Sequence, residues 1–348
     1  MTIRQLFAAE TARRILIKDG PYGTAIQAYG LKEEDYRGQQ KLDRDQKGNN
    51  DLLNLTQPQI IREICDRYIA AGASVLATNT FNANSISLSD YGAAHLVREV
   101  NMAAAKIIRT AVDAASARDG IQRFVCGALG PTNKTLSISP DVNNPGYREV
   151  DFDQVRQVYR AQIDALLEGG VDIILIETVF DTLNAKAAIA ATLDAAEHLG
   201  RDVPMMLSMT LTDMAGRNLS GQTVEAFWHS VRHAMPLSIG LNCSFGATEL
   251  RPYVQTLARI ADTAIMVYPN AGLPNDMGQY DEAPQTTAQL VRAWADEGLV
   301  NVVGGCCGTT AAHIAAIAQA LADAPPRVIP KPAPALRLSG LEAFRLAS

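Results

Sequence analysis

The chain has 348 residues, of which 47% are hydrophobic and 20% charged, and its formal net charge is -6. This composition fits a globular protein with a sizeable core, and without a concentrated basic run it argues against nucleic-acid binding. No apolar stretch reaches the roughly 18 residues of a membrane span, and the N-terminus lacks the apolar core of a secretory signal. The 5 cysteines are an odd number, which argues against a disulfide framework. We therefore expect a cytoplasmic protein that binds neither membranes nor nucleic acid.

Short apolar runs alternate with amphipathic stretches along the chain. The predicted strands cover residues 15–18, 74–77, 123–128, 172–176, 205–209, 238–241, 264–268 and 301–303. The predicted helices cover 58–71, 96–115, 152–168, 183–200, 223–233, 247–261, 286–297 and 311–322. Eight apolar strands, each followed by a helix, predict an α/β fold with a parallel sheet covered on both faces. We expect a single-domain (β/α)8 TIM barrel, with an open doubly wound sheet as the alternative.

Two segments fall outside this repeat. Residues 31–50 are rich in charged and amide side chains, which predicts a long polar excursion over the mouth of the barrel. The C-terminal residues favour an extended, semi-rigid tail because of their prolines, Pro325, Pro326, Pro330, Pro332 and Pro334. We accordingly divide the chain into a barrel, residues 1–322, and a Pro-rich C-terminal tail or linker, residues 323–348.

Polar or reactive residues follow most of the predicted strands. In chain order they include Asp19-Gly20 after the first strand, Thr78-Asn79 after the second, Glu177 after the fourth, Asn242-Cys243 after the sixth and Cys306-Cys307 after the eighth. In a TIM barrel these positions all meet at the C-terminal mouth, where active sites are built. The sequence therefore predicts that three cysteines from two distant segments are neighbours across the rim.

The three thiols suggest a zinc site. A catalytic zinc ion has three protein ligands and one open position, and Cys243, Cys306 and Cys307 are suitable ligands. The glycines at 304, 305 and 308 would allow a tight turn in which both adjacent thiols face inward. A vicinal disulfide, simple packing and a phosphate-binding loop are the alternatives for the Gly-Gly-Cys-Cys segment. Cys65 and Cys126 lie inside predicted elements and are expected in the core.

Asp19 and Glu177 are expected to face the mouth because each ends a strand. Two carboxylates there would orient a substrate ammonium or act as general acid and base. A hydrogen-bond network within the rim is the alternative, and the spacing does not separate these roles.

Several motifs together resemble the homocysteine-binding module of cobalamin-dependent methionine synthase, a branch of the wider homocysteine S-methyltransferase family. They include Asp19-Gly20-x-x-Gly23-Thr24, Thr78-Asn79-Thr80-Phe81-Asn82, Leu129-Gly130-Pro131-Thr132-Asn133, Glu177-Thr178-Val179-Phe180-Asp181, Pro269-Asn270-Ala271-Gly272 and Gly304-Gly305-Cys306-Cys307-Gly308. The resemblance extends over nearly the whole chain. It implies a barrel in which the three cysteines bind zinc and the thiol of L-homocysteine is the fourth ligand, activated as a thiolate for methylation to methionine.

The resemblance also implies the substrate contacts. Asp19 and Glu177 would hold the homocysteine ammonium, and backbone amides near Gly20 would receive its carboxylate. The remaining predicted substrate-binding residues are Thr78, Asn79 and Asn242. Relatives carry other residues where this chain has Pro21-Tyr22, and a proline has no N–H to offer a carboxylate.

The methyl donor is the remaining question. Full-length methionine synthases continue into folate, cobalamin and reactivation modules, and residues 337–342 resemble the linker that enters the folate module. We expect a stand-alone subunit of a split methionine synthase in the 5-methyltetrahydrofolate pathway. Its methylcobalamin would be carried by a separate cobalamin- and folate-binding subunit. The alternatives are a methyltransferase that uses betaine or S-methylmethionine directly, and a non-catalytic zinc- or thiol-binding subunit.

Overall fold

The structure, a computed structural model, describes residues 1–331 and 334–346. Pro332 and the last two residues of the predicted tail lie outside the described residues. Eight parallel strands form one sheet in the order β1-β8-β7-β6-β5-β4-β3-β2. They are β1 (Leu16–Ile17), β2 (Val75–Ala77), β3 (Phe124–Leu129), β4 (Ile173–Val179), β5 (Met205–Met209), β6 (Ser238–Asn242), β7 (Ala264–Tyr268) and β8 (Val302–Val303).

Helices alternate with the strands, and the longer helices between successive strands pack against the outer face of the sheet. They are α1 (Ile3–Arg13), α2 (Tyr22–Gln27), α3 (Glu33–Arg37), α4 (Leu53–Thr56), α5 (Pro58–Ala70), α6 (Ser85–Ser89), α7 (Val97–Asp119), α8 (Phe152–Glu168), α9 (Thr182–Leu199), α10 (Val224–Val231), α11 (Ala247–Ile260), α12 (Pro284–Asp296) and α13 (Ala311–Leu321). In the part of the chain that the structure describes, no helix has the length and apolar character needed to cross a membrane.

The first and second strands close the sheet into a ring. Lys18 forms a parallel bridge with Val75, Ser74 N donates to the Ile17 carbonyl at 2.7 Å, and Asp19 N donates to the Val75 carbonyl at 3.0 Å. An open doubly wound sheet would leave these two edges apart. The predicted (β/α)8 barrel is confirmed.

Alternate strand residues point into the ring and out toward the helices, so both faces of each strand are buried. Leu16, Phe124 and Met266 belong to the inner cluster, whereas Ile17 and Val125 pack against the surrounding helices. Helix α1 was not predicted from the sequence. Its Phe7 meets Phe124 edge-on at 5.5 Å between ring centroids, which places this helix at the N-terminal end of the barrel, opposite the mouth.

The described part of the C-terminal tail contains regular structure, whereas the sequence predicted an extended chain. Arg327 is buried and donates to the carbonyls of Ala258, Ala261 and Thr263. Beyond it, β9 (Leu336–Ser339) and β10 (Ala343–Leu346) form an antiparallel hairpin, because alternating apolar residues flank a turn at 340–342. The hairpin packs on α10. The boundary at 322/323 stays a prediction.

Candidate metal and substrate site

A cavity of about 600 Å³ opens at the C-terminal ends of the strands. The predicted site residues that line it are Gly20, Thr78, Asn79, Glu177, Asn242, Cys243, Cys306 and Cys307. Asp19 is the exception, because its side chain is fully buried behind the cavity wall. Residues separated by up to most of the chain length thus meet at one mouth, as the barrel arrangement predicts.

The three cysteines form a compact cluster of sulfur atoms. Their Sγ atoms all lie within 4.8 Å of one another, and Cys243 Sγ is 3.8 Å from Cys307 Sγ. Zinc–sulfur bonds of about 2.3 Å in a tetrahedral arrangement would place sulfurs roughly 3.8 Å apart. Three soft thiolate donors beside an open cavity therefore fit a zinc ion with one free position.

Local backbone geometry aims these sulfurs at one point. Cys306 N donates to the Pro269 carbonyl at 2.8 Å, which ties the cysteine pair to the end of β7. Gly308 turns the chain with a φ of 78°, and Cys243 has a φ of 62°. A cysteine in this left-handed region is unusual, and such strain is concentrated at functional sites. Cys65 and Cys126 are buried in the core, which confirms their prediction.

The cluster favours one thiolate among its three sulfurs. Hydrogen bonds from the Cys306 and Cys307 thiols lower the pKa of Cys243 to about 3. The same contact with Cys243 raises the pKa of Cys306, and it raises the pKa of Cys307 to about 11. The protein thus shares protons among neighbouring sulfurs.

Asn242 connects the cysteine cluster to the end of β4. Its Nδ2 donates to Thr178 Oγ1 at 2.8 Å and lies 3.8 Å from Cys306 Sγ. Its Oδ1 accepts hydrogen bonds from Ser208 Oγ and from Thr178 N. Since both ends of this amide are engaged, Asn242 orients Cys306 and the segment after Glu177.

A group of charged residues forms the floor of the cavity. Lys18 Nζ lies 2.9 Å from Asp19 Oδ1 and 4.6 Å from the ring centroid of Tyr268. The Tyr268 hydroxyl donates to Glu177 Oε2 at 2.8 Å. The second oxygen of Asp19, Oδ2, accepts the amide of Ala77. Both oxygens of Asp19 are therefore engaged by the protein, whereas Glu177 lines the cavity.

Burial disfavours the charged forms of the floor residues, whereas attraction between their opposite charges favours them. Burial opposes charge on Lys18, but the carboxylates of Asp19 and Glu177 outweigh it and raise the pKa of the lysine. Burial also raises the pKa of Glu177, while Lys18 and the Tyr268 hydroxyl oppose that rise. The lysine ammonium is thus the counter-ion that allows two carboxylates to lie so deep.

The two predicted residues after β2 support one wall. Thr78 Oγ1 accepts the amide of Ala128 at 3.0 Å, so it joins the second and third strands. Asn79 Nδ2 donates to the Asn50 carbonyl at 2.7 Å. The polar excursion thereby reaches the mouth, where Asn50 and Asp51 line the cavity.

Asp51 is an acidic group that the sequence did not identify as part of this wall. Its Oδ1 accepts the Asn82 amide at 3.0 Å, and burial raises its pKa to about 7. Because this pKa lies above the ordinary 3.8, stability linked to Asp51 is full below about pH 4 and is lost as the pH rises through about 7.

Asp51→Asn is therefore expected to stabilise the protein at about pH 8 by up to the order of 4 kcal/mol, with little effect at about pH 4. The asparagine keeps an acceptor for Asn82 but never has to be charged. Urea unfolding of both proteins at both pH values measures the difference. An equal effect at the two pH values would contradict a burial-shifted carboxylate.

Lys18 and Tyr268 were also missed as site residues, since each was predicted only as part of a strand. The signal for Lys18 was alternation. It has the same strand parity as Leu16, whose side chain points into the barrel. An inward-facing charged side chain at the C-terminal end of a strand reaches the mouth of the barrel. Alternation directs the next side chain, that of Asp19, toward the other face of the strand.

The loop after β7 extends across the mouth toward the cysteines. Tyr280 lies over Gly308, where a Cβ atom would come within 2.3 Å of the tyrosine Cβ. His313 Nε2 donates to the Glu282 carbonyl at 2.9 Å, and His313 Nδ1 accepts from Thr310 N. The start of α13 and this loop are thus joined beside the metal-binding cluster.

The architecture resembles that of a bacterial methyltransferase. Three structures of the homocysteine methyltransferase MmuM from Escherichia coli match this chain. The metallated form is 21% identical over 89% of this chain and 97% of its own, with a TM-score of 0.68. The oxidized form is also 21% identical, over 88% and 95%, with a TM-score of 0.67. At this identity the likeness supports the shared fold.

The family assignment rests on the sequence itself. The model of the homocysteine S-methyltransferase family matches residues 16–321, from the first barrel strand to the last barrel helix. This range contains all three clustered cysteines and both carboxylates of the floor. The chain belongs to the homocysteine S-methyltransferase family, whose substrate is homocysteine.

Proposed function

We propose that this protein methylates L-homocysteine to methionine with a zinc ion held by Cys243, Cys306 and Cys307. The observation that carries the proposal is the cluster of three sulfurs, all within 4.8 Å of one another, at the edge of the cavity. Zinc bound there would lower the pKa of a thiol at its fourth position, so that the thiol is a nucleophile at neutral pH.

The protein side chains orient the amino acid. Glu177 receives the substrate ammonium at its Oε1, while the Tyr268 hydroxyl holds the other oxygen. Asn242 fixes the position of Cys306 relative to the strand that carries Glu177. We assign Gly20, Thr78 and Asn79 to the walls around the substrate, and Asp19 to the charge balance of the floor. With the thiol and ammonium both fixed, the sulfur is presented to the open side of the mouth for in-line methyl transfer.

Methylcobalamin on a separate protein is the proposed methyl donor. The support is the resemblance of motifs from Asp19 to Gly308 to the homocysteine-binding module of cobalamin-dependent methionine synthase. The mouth also suits a large donor, because its loops expose the apolar side chains of Leu219, Leu273 and Met277. On this proposal the chain is one subunit of a split methionine synthase, and the donor subunit binds cobalamin and folate.

The test is a donor panel on one preparation whose zinc content is measured. We expect methionine to form from homocysteine with methylcobalamin, and not with betaine or S-methylmethionine. Formation with an onium donor alone would assign the protein to direct methyl transfer and overturn the cobalamin assignment. Zinc and homocysteine binding without turnover on any donor would instead indicate a non-catalytic subunit.

A further inference from the structure

Lys18 is the one cationic side chain among the described residues that line the cavity. It is 4% exposed and lies at the end of β1, where it also bridges to Val75. The lining contains two carboxylic acids, Asp51 and Glu177, and the three clustered thiols. An amino-acid substrate brings its own carboxylate into this acidic surrounding, and that carboxylate needs a positive partner.

The contacts of Lys18 leave room for such a partner. An ammonium group has three N–H donors. One is used by Asp19 Oδ1, at 2.9 Å, and the face of Tyr268 lies 4.6 Å from the ammonium. The Cβ atom of Lys18 is fixed by the close passage of Gly304, where an added Cβ would come within 2.8 Å. The head of this lysine is thus held in place beside the cavity.

The neighbouring carboxylates divide into one that is occupied and one that is open. Asp19 is neutralised by Lys18, and its remaining oxygen accepts the Ala77 amide. Glu177 accepts the Tyr268 hydroxyl at Oε2 and lines the cavity. The floor therefore offers an incoming molecule the remaining N–H donors of the Lys18 ammonium and the carboxylate of Glu177, an arrangement complementary to a zwitterionic amino acid.

We propose that Lys18 binds the α-carboxylate of the substrate and thereby selects an amino acid over a simple thiol. This inference rests on the proposed function, in which homocysteine occupies the cavity. Pro21 strengthens it, because the loop after β1 lacks an N–H at that position. Lys18 supplies a charged donor only three residues earlier in the chain.

A purely structural lysine would neutralise Asp19 and Glu177 without touching the substrate. A structural lysine and a carboxylate-binding lysine can be distinguished by the thiol compounds whose binding requires Lys18. A carboxylate-binding lysine matters for homocysteine and for γ-mercaptobutyrate, which keeps the carboxylate but lacks the ammonium. It does not matter for homocysteamine, which keeps the ammonium and thiol but lacks the carboxylate.

The experiment is calorimetric titration of zinc-loaded wild type and Lys18→Met with these three thiols. We expect Lys18→Met to lower the affinity for homocysteine and for γ-mercaptobutyrate by about tenfold or more, since hydrogen bonds to charged groups contribute roughly 1.5–3 kcal/mol. The affinity for homocysteamine should fall by much less than that for the other two thiols, because homocysteamine has no carboxylate for Lys18 to bind. A uniform loss across the three thiols, or no loss, overturns the proposal.

A second variant removes Lys18 and Asp19 as a pair, so that the Asp19 charge is not left without its partner, while Glu177 stays at the cavity. Lys18→Met combined with Asp19→Asn is expected to show the same selective loss, with circular dichroism confirming the fold. The readout is binding and does not depend on methyl transfer. If wild type does not bind homocysteine, the proposed function fails; if it binds but the variants show no selectivity, only the role of Lys18 fails.

Discussion

Cys306→Ser is expected to lose its stoichiometric zinc and to reduce methionine formation by more than about 100-fold, because disturbing even an outer contact to a zinc ligand costs roughly 10–100-fold. Serine replaces a soft sulfur donor with a hard hydroxyl that rarely ionises at neutral pH. The two remaining sulfurs, Cys243 and Cys307, lie 3.8 Å apart but leave the metal with half of a tetrahedral set.

Metal analysis and the methionine assay on the same sample measure this effect. Cys65→Ala is the matched control, since Cys65 is a buried thiol on α5 outside the cluster. The control should keep both zinc and activity. Full methyl transfer by Cys306→Ser would rule out every function that we have built on a zinc ion at this site.

Glu177→Gln is expected to weaken the binding of homocysteine by about 10- to 100-fold, because a hydrogen bond to a charged group contributes roughly 1.5–3 kcal/mol. The amide keeps the shape of the side chain and an oxygen for the Tyr268 hydroxyl. It removes the negative charge that faces the substrate ammonium, and it leaves Lys18 with Asp19 as its only nearby anion in the floor. The loss should appear in KM for homocysteine, with the zinc content unchanged.

Steady-state kinetics with homocysteine as the varied substrate measure this change. Glu99→Gln, on the exposed face of α7, is a control that alters the same chemical group away from the mouth. An unchanged KM for Glu177→Gln would remove Glu177 from substrate binding. A parallel loss of zinc would instead indicate that the substitution disturbs the cysteine cluster.

Much of this barrel could be predicted because its local signals agree with its tertiary structure. The apolar runs 205–209 and 264–268 coincide with β5 and β7. The predicted helix at 152–168 coincides with α8, which starts after Asp151. There the Asp151 side chain accepts the Gln154 amide, and the Gln154 side chain accepts the Asp151 amide. In these three elements, burial of both strand faces or a capped helix start gives the sequence and the structure the same boundaries.

The elements that were missed depend on partners distant in sequence. Helix α1 lies ahead of the first barrel strand, outside the β-then-α repeat. It is placed by packing of Phe7 on Phe124. The C-terminal hairpin follows a proline-rich segment that suggested extended chain, and its strands pair with each other while resting on α10. The packing of Phe7 on Phe124 and of the hairpin on α10 joins segments distant in sequence, so neither has a local signature.

The sequence predicted most of the residues at the mouth but not the side-chain contacts between them. Strand order brought the three cysteines and Glu177 to one end of the barrel. The sequence did not indicate that Lys18 would form an ion pair with Asp19. That pairing depends on the direction in which each side chain points from the end of β1. It also did not indicate that Asn242 would hold Cys306, since this contact joins β6 to the end of β8 across the barrel mouth.

The ring of strands closes where the cavity floor lies. Lys18 makes the bridge to Val75, and the amide of Ala77 donates to the side chain of Asp19 rather than to a backbone carbonyl. Local opening between β1 and β2 would therefore take the Ala77 amide away from the Asp19 carboxylate and displace the strand end that carries both Lys18 and Asp19. A molecule that binds only the closed ring stabilises that closure by mass action, so substrate affinity and the integrity of this junction are two measures of one equilibrium.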